Sequence, residues 1–196
     1  MKLKLILAFA IITTISCGEN DNSTPETTFG IFTVLDDNTV EMNGDINSST
    51  LRNFENLVNE YPSISQIEIR EVPGSLDDEI NLQFSKKVHD SNIAIHLLDN
   101  GIIASGGVDF FLAGVRRTKG INTMIGVHSW AGENETATDF PEGHANHLPY
   151  INYYISIGFT QQEAEDFYYF TINAAPASSI HYMTESEIEQ YGLLKL

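Results

Sequence analysis

Six residues near the middle of the chain, Ile93-Ala94-Ile95-His96-Leu97-Leu98, are almost continuously apolar, the pattern of a strand covered on both faces. Helices must lie over both sides of such a strand, so it belongs to a parallel sheet. The segments before it agree. Leu51, Phe54, Leu57, Val58 and Tyr61 recur at helical spacing up to Pro62, Ile64 to Ile69 reads as a strand, and Leu76, Ile80, Phe84 and Val88 line a second helix. Asp77, Asp78 and Glu79 open that second helix and Lys86 and Lys87 close it, as its dipole favours. Strand, helix, strand, helix, strand implies right-handed crossovers and an α/β layer architecture.

Upstream, Phe29 to Leu35 and Thr39 to Met42 flank the turn signal Asp36-Asp37-Asn38, which predicts a hairpin or a sharp strand connection. The cluster Asn47-Ser48-Ser49-Thr50 can cap the first helix. Downstream, Val108 to Val115 reads as a buried helix starting just after Ser105, and Asn122 to Val127 as a strand ending at His128. Helical spacing returns from Gly143 through Leu148, Ile151, Tyr154 and Ile155, and through Ala164, Phe167 and Phe170. Glu185 to Tyr191 reads as a short last helix, ended by Gly192.

The N-terminus is organised differently. Met1 to Cys17 has Lys2 and Lys4, an apolar run from Leu5 to Ile15 and a small Ser16, the outline of a signal peptide. The run is too short to cross a bilayer, which needs roughly 20 helical residues. Ile15-Ser16-Cys17 resembles a bacterial lipobox, which implies cleavage before Cys17 and a lipid on its thiol; the other reading is a signal peptide cut elsewhere and a spare thiol. The expected organisation is a signal peptide over 1–16, an acidic tether over 17–28 and one folded domain over 29–196. Lipidation implies attachment to a membrane in the bacterial cell envelope, on its periplasmic or extracellular face. The chain's formal charge of −17 argues against nucleic acid as a partner. Its single cysteine excludes an intramolecular disulfide framework and multi-cysteine zinc sites.

Ser105, between a strand and a helix, would sit at the C-terminal edge of the sheet with the amides of Gly106 and Gly107 pointing at whatever lies there. His128, ending a later strand of the same sheet, could emerge at that edge as its base. The same pattern is served by a serine capping a helix and a histidine ending a strand. Glu142, His144 and His147 offer two imidazoles on one helical face without a third committed ligand. Arg116 and Arg117 suit either a substrate carboxylate or an ordinary ion pair. Phe167-Tyr168-Tyr169-Phe170 is aromatic all round, so part of it could face a partner subunit.

The G-x-S-x-G elbow of α/β-hydrolases is not matched, because Ile103 stands where its first glycine would be. The run Ile102-Ile103-Ala104-Ser105-Gly106-Gly107, followed by Met124-Ile125-Gly126-Val127-His128, resembles the active-site core of the Clp protease proteolytic subunit. Further motifs follow in the same order. Asn43-Gly44-Asp45-Ile46 resembles the family's early strand end, Val72-Pro73-Gly74-Ser75 its oxyanion loop, Ala137-Thr138-Asp139-Phe140 the opening of its long handle helix, and Glu189-Gln190-Tyr191-Gly192-Leu193 its C-terminal segment.

The resemblance implies a Clp/crotonase superfold of repeated β-β-α units, in a secreted lipoprotein branch, with a mainly parallel sheet and C-terminal helices. It implies a serine peptidase acting through an acyl-enzyme, with Ser105 as nucleophile, His128 as general base and Gly74 and Gly106 as oxyanion donors. No cofactor is implied, and the substrate would be a short or unfolded peptide or protein. Ser75 departs from the family's second loop glycine and could serve as a helix cap. The third triad position differs with register: counting from Gly158 leads to Asp166, counting back from Gly192 leads to Pro176 with Asn173 nearby. Asp166 is preferred, because a carboxylate orients and stabilises an imidazolium. Family members assemble rings through such helices, which leaves open either a homo-oligomer or a tether in place of one. The alternative function is a non-catalytic lipoprotein that keeps the fold as a binding module; crotonase-type acyl-CoA chemistry would not use the Ser105 and His128 pair.

Overall fold

The structure, a computed structural model, describes residues 27–196; the expected signal peptide, Cys17 and the tether up to residue 26 lie outside the described residues. The apolar run at Ile93 becomes the middle of an eight-stranded sheet. There β5 (Ala94–Ala104) lies parallel to β4 (Gln66–Val72) on one side and to β6 (Arg117–Lys119) and β7 (Met124–Val127) on the other. Beyond β4, β3 (Thr39–Asn43) is also parallel, while β2 (Phe32–Val34) and β1 (Thr28–Phe29) continue antiparallel as the predicted hairpin and one further short strand. The other edge is β8 (His181–Tyr182), antiparallel to β7.

A bulge in β5 decides where the sheet's second half ends. Ile69 faces Leu97 but Glu71 faces Ile102, so β5 carries extra residues, with Asn100 in the left-handed region at φ +60°. The bulge is pinned by the Gly120 N–H to the Leu97 carbonyl at 2.8 Å and the Ile121 N–H to Asp99 Oδ1 at 2.9 Å. β6 pairs with Ile95 to Leu97 before the bulge, and β7 with Ile102 to Ala104 after it. The strand that ends at His128 is thereby set beside the strand that ends at Ser105.

The helices are α1 (Thr50–Glu60), α2 (Asp78–Asp90), α3 (Gly106–Leu112), α4 (Leu148–Ser156), α5 (Gln161–Ala174) and α6 (Glu185–Gln190). A run of rings joins the first three to the sheet: Phe84 of α2 lies 5.7 Å from Phe32, 5.4 Å from Phe54 and 4.9 Å, stacked, from Phe110 of α3. All four are fully buried, and truncating such a ring to alanine costs about 3–5 kcal/mol. Gly107 lets α3 come this close, since a Cβ there would sit 2.2 Å from the Val72 carbonyl oxygen.

Three expectations are corrected. Ser75 does not cap α2; Asp77 does, accepting from the Ile80 N–H at 3.1 Å, while the Ser75 hydroxyl accepts from the Asp77 N–H at 3.1 Å. Ala137-Thr138-Asp139-Phe140 does not open a long helix. It forms one 3-10 turn closed by a Thr136–Asp139 capping box, Pro141 follows it, a second 3-10 turn at Ala145–His147 leads into α4, and α5 follows past Gly158 at φ +105°. Arg117 meets neither an acid nor an open surface: only 4% exposed, it donates to the carbonyls of Leu193, Gly192, Gly114 and Leu112 at 2.6, 3.0, 3.0 and 3.2 Å. It clasps the C-terminal segment, and burial lowers its pKa to about 10. In α5, Phe167 and Tyr168 are buried, while Tyr169 and Phe170 stay half-buried, Phe170 stacked on Tyr191 at 4.4 Å.

Candidate active site

Ser105 follows the last residue of β5 and precedes the first of α3, and the turn is sharp enough to force its φ to +52° with ψ −130°. Among the described residues, the other non-glycine residues at positive φ are Asn92, Asn100 and Asn122. Asparagine tolerates that region and serine does not, so Ser105 stores roughly 1–3 kcal/mol of strain. Its N–H donates to the Gly126 carbonyl at 2.9 Å and its carbonyl accepts from Val108 at 2.8 Å. Its side chain makes no capping bond to α3. Local backbone strain and an uncommitted hydroxyl together remove the helix-cap reading of this serine.

His128 is the first residue past β7, and its Nδ1 lies 2.8 Å from the Ser129 carbonyl oxygen. A carbonyl can only accept, so the proton sits on Nδ1 and the lone pair on Nε2 is the basic one. The Ser129 peptide is itself fixed, its N–H donating to the Ala175 carbonyl at 2.8 Å. Ser105 and His128 line one narrow cleft of about 40 Å³, and no hydrogen bond joins them among the described residues. Such bonds are commonly loose until substrate arrives.

Gly74 faces the serine directly: a Cβ on it would stand 3.5 Å from Ser105 Cβ and 4.0 Å from Ser105 Oγ. Its carbonyl accepts from the Ile46 N–H at 3.0 Å. The Gly106 N–H lies in the unpaired first turn of α3. The buried Asn81 side chain donates to the Gly106 carbonyl at 2.9 Å and receives the Ser85 hydroxyl at 3.2 Å, fixing the peptide from behind.

Asp166 is not brought to this place. It is exposed on α5, accepts from Gln162 Nε2 at 2.7 Å, and lines a separate surface cleft of about 730 Å³ beside Tyr191 and Glu189. Asn173 is exposed too, donating to the Tyr169 carbonyl at 2.7 Å. His144 stacks on Phe140 at 4.6 Å and His147 is buried with Nδ1 2.8 Å from the Tyr168 hydroxyl. Among the described residues no three side chains of metal-binding type converge.

Solved structures share this arrangement of strands and helices. A lysine-to-alanine mutant of the 1510-N membrane-bound stomatin-specific protease, in complex with a substrate peptide, matches with a TM-score of 0.52 and 20% identity, over 79% of this chain and 71% of that one. A serine-to-alanine mutant of the same protease matches at 0.50 and 18%, over 79% and 75%. An asparagine-to-aspartate mutant of ClpP1 from Listeria monocytogenes matches at 0.50 and 20%, over 81% and 89%. The chain has the ClpP-like fold. No protein-family model matches the sequence, and no curated protein matches it.

This ClpP-like chain carries cleft residues that sequence reasoning missed. Asp109, one turn into α3, receives the Tyr154 hydroxyl at 2.5 Å, and Asp78, at the start of α2, receives the Tyr150 hydroxyl at 2.6 Å. Burial, together with the charge of Asp78, pushes the Asp109 carboxyl up to about 7, against the opposing effect of the Tyr154 hydrogen bond. Trp130 and Tyr168 close another wall, the indole N–H donating to the Tyr168 hydroxyl at 2.9 Å. The position four residues after Ser105 was visible as a signal, since it lies on the serine's side of the helix; the tyrosines arrive from distant sequence.

Proposed function

We propose that this chain is a serine peptidase of the ClpP-like class, held at the bacterial cell envelope by a lipid on Cys17, with a short or unfolded peptide as substrate. The observation that carries the reading is Ser105 itself: a strained serine with an uncommitted hydroxyl, in one cleft with a histidine whose free nitrogen is Nε2. Ser105 Oγ attacks the peptide carbonyl carbon while His128 Nε2 takes the hydroxyl proton. The Gly74 and Gly106 amides hold the resulting oxyanion. The C–N bond then breaks, the amine leaves with the proton from His128, and water enters by the same route to release the acid from Ser105. The Ser129 carbonyl orients the imidazole in place of a triad carboxylate; lacking full charge, it stabilises the imidazolium less, which favours a slow enzyme. The absence of a Ser105–His128 bond favours a second reading, a binding module that keeps the fold without the chemistry.

Reaction of the full chain, in detergent, with a fluorophosphonate probe tests the choice. Labelling of the wild type that disappears in Ser105→Ala and falls at least a hundredfold in rate in His128→Ala supports the peptidase; a folded wild type that does not label overturns it. Radiolabelled palmitate incorporation lost in Cys17→Ala tests the anchor.

A further inference from the structure

The carboxylates of Asp78 and Asp109 and the hydroxyls of Tyr150, Tyr154 and Tyr168 line the cleft beside Ser105, and no lysine or arginine does. Asp109 and Asp78 each receive a single side-chain donor, the hydroxyls of Tyr154 and Tyr150. The second oxygen of Asp109 has no donor among the described residues. Arg70 pairs with Glu41, Lys86 with Asp90, Lys119 with Glu185 and Arg117 with main-chain carbonyls, and Arg52, Lys87, Arg116 and Lys195 do not line the cleft either. The result is two carboxylates at the wall of one cavity; burial chiefly, and the charge of Asp78 after it, raise the Asp109 carboxyl.

Geometry limits what could compensate it. Asp109 lies one helical turn past Ser105, about 6 Å along the axis, which is the reach of a four-carbon stem from a residue whose carbonyl sits on the serine. The free space, about 40 Å³, accepts a compact head and excludes an aromatic ring or a planar guanidinium. An ammonium is compact and brings three donors.

Resting on the peptidase reading, we infer that this cleft is the pocket for the side chain preceding the scissile bond, and that it selects lysine by holding the ammonium between Asp109 and Asp78.

Trp130, the single tryptophan of the chain, lines the cleft and reports on its occupancy without any turnover. The full chain is titrated with n-butylamine at pH 8, with n-butanol as the uncharged control, and Trp130 fluorescence is followed. The expected result is a saturable change at least tenfold tighter for the amine, lost in Asp109→Asn and weakened in the exposed Asp78→Asn, which guards against a folding defect in the first variant. In parallel, peptidyl coumarin amides ending in lysine should exceed those ending in norleucine at least tenfold in kcat/KM, the ratio falling toward one in Asp109→Asn. Equal responses to amine and alcohol, or a selectivity unchanged in both variants, overturn the inference. Fluorophosphonate labelling without ammonium selectivity overturns it alone, whereas ammonium selectivity without labelling overturns only the peptidase reading.

Discussion

The Ser105 N–H donates to the Gly126 carbonyl at 2.9 Å, and this one bond ties the turn after β5 to the strand that delivers His128. The serine's conformation and the histidine's position are therefore not independent. Whatever holds β7 against β5 also holds Ser105 and His128 at the wall of one cleft.

Replacing Ser105 by glycine should separate stability from chemistry. At φ +52° glycine carries no penalty, so Ser105→Gly should raise stability by about 1 kcal/mol in chemical denaturation while abolishing fluorophosphonate labelling. A loss of stability would mean that the serine side chain, not the turn, sustains this geometry.

Gly107→Ala should act in the opposite direction. The new Cβ would lie 2.2 Å from the Val72 carbonyl oxygen, which cannot yield without disturbing β4. The intrinsic helix gain of about 1 kcal/mol is outweighed by overpacking of about 1–3 kcal/mol. Denaturation midpoints should fall, and labelling of Ser105 should slow as α3 is pushed from the sheet.

Asp166→Asn should change little. The side chain is exposed and bonded only to Gln162 Nε2 among the described residues, so labelling rates should match wild type and stability should stay within about 0.5 kcal/mol. A tenfold loss of labelling would place Asp166 in the catalytic apparatus after all.

Asp109 makes stability depend on pH. Its carboxyl moves from an ordinary 3.8 to about 7 on folding, so the folded state keeps the proton longer than the unfolded one. The stability linked to it is fully present below about pH 4 and lost as pH rises through about 7. Asp109→Asn, which can still accept from Tyr154, should remove that slope. Thermal unfolding of the two proteins from pH 4 to pH 8 should show the variant gaining on wild type by a few kcal/mol across that interval.

The parallel sheet was legible because Ile95, Leu97 and Ile103 alternate inside an apolar stretch, and α1 and α2 because their apolar stripes are long enough to show a period. The handle region was misread for a physical reason. Its opening motif is helix-compatible, but Pro141 and the breaks at Gly143 and Gly158 divide it into two 3-10 turns and the separate helices α4 and α5. Arg117 defeated both of its sequence readings, because its partners are main-chain carbonyls, two of them at Gly192 and Leu193 far away in sequence, which no side-chain pattern announces.

By itself the sequence determined what local physics controls: the apolar strand that had to be covered on both sides, the apolar stripes of the first two helices, and a serine set where a strand must turn into a helix. Only the tertiary structure decided which partners that serine has. The β5 bulge brought β7 alongside so that His128 shares its cleft, the break at Gly158 and the exposed face of α5 left Asp166 in solvent, and α4 carried Tyr150 and Tyr154 to the acids beneath Ser105. Those outcomes depend on registers and helix breaks that join residues far apart in the chain, where hydrophobic periodicity carries no information.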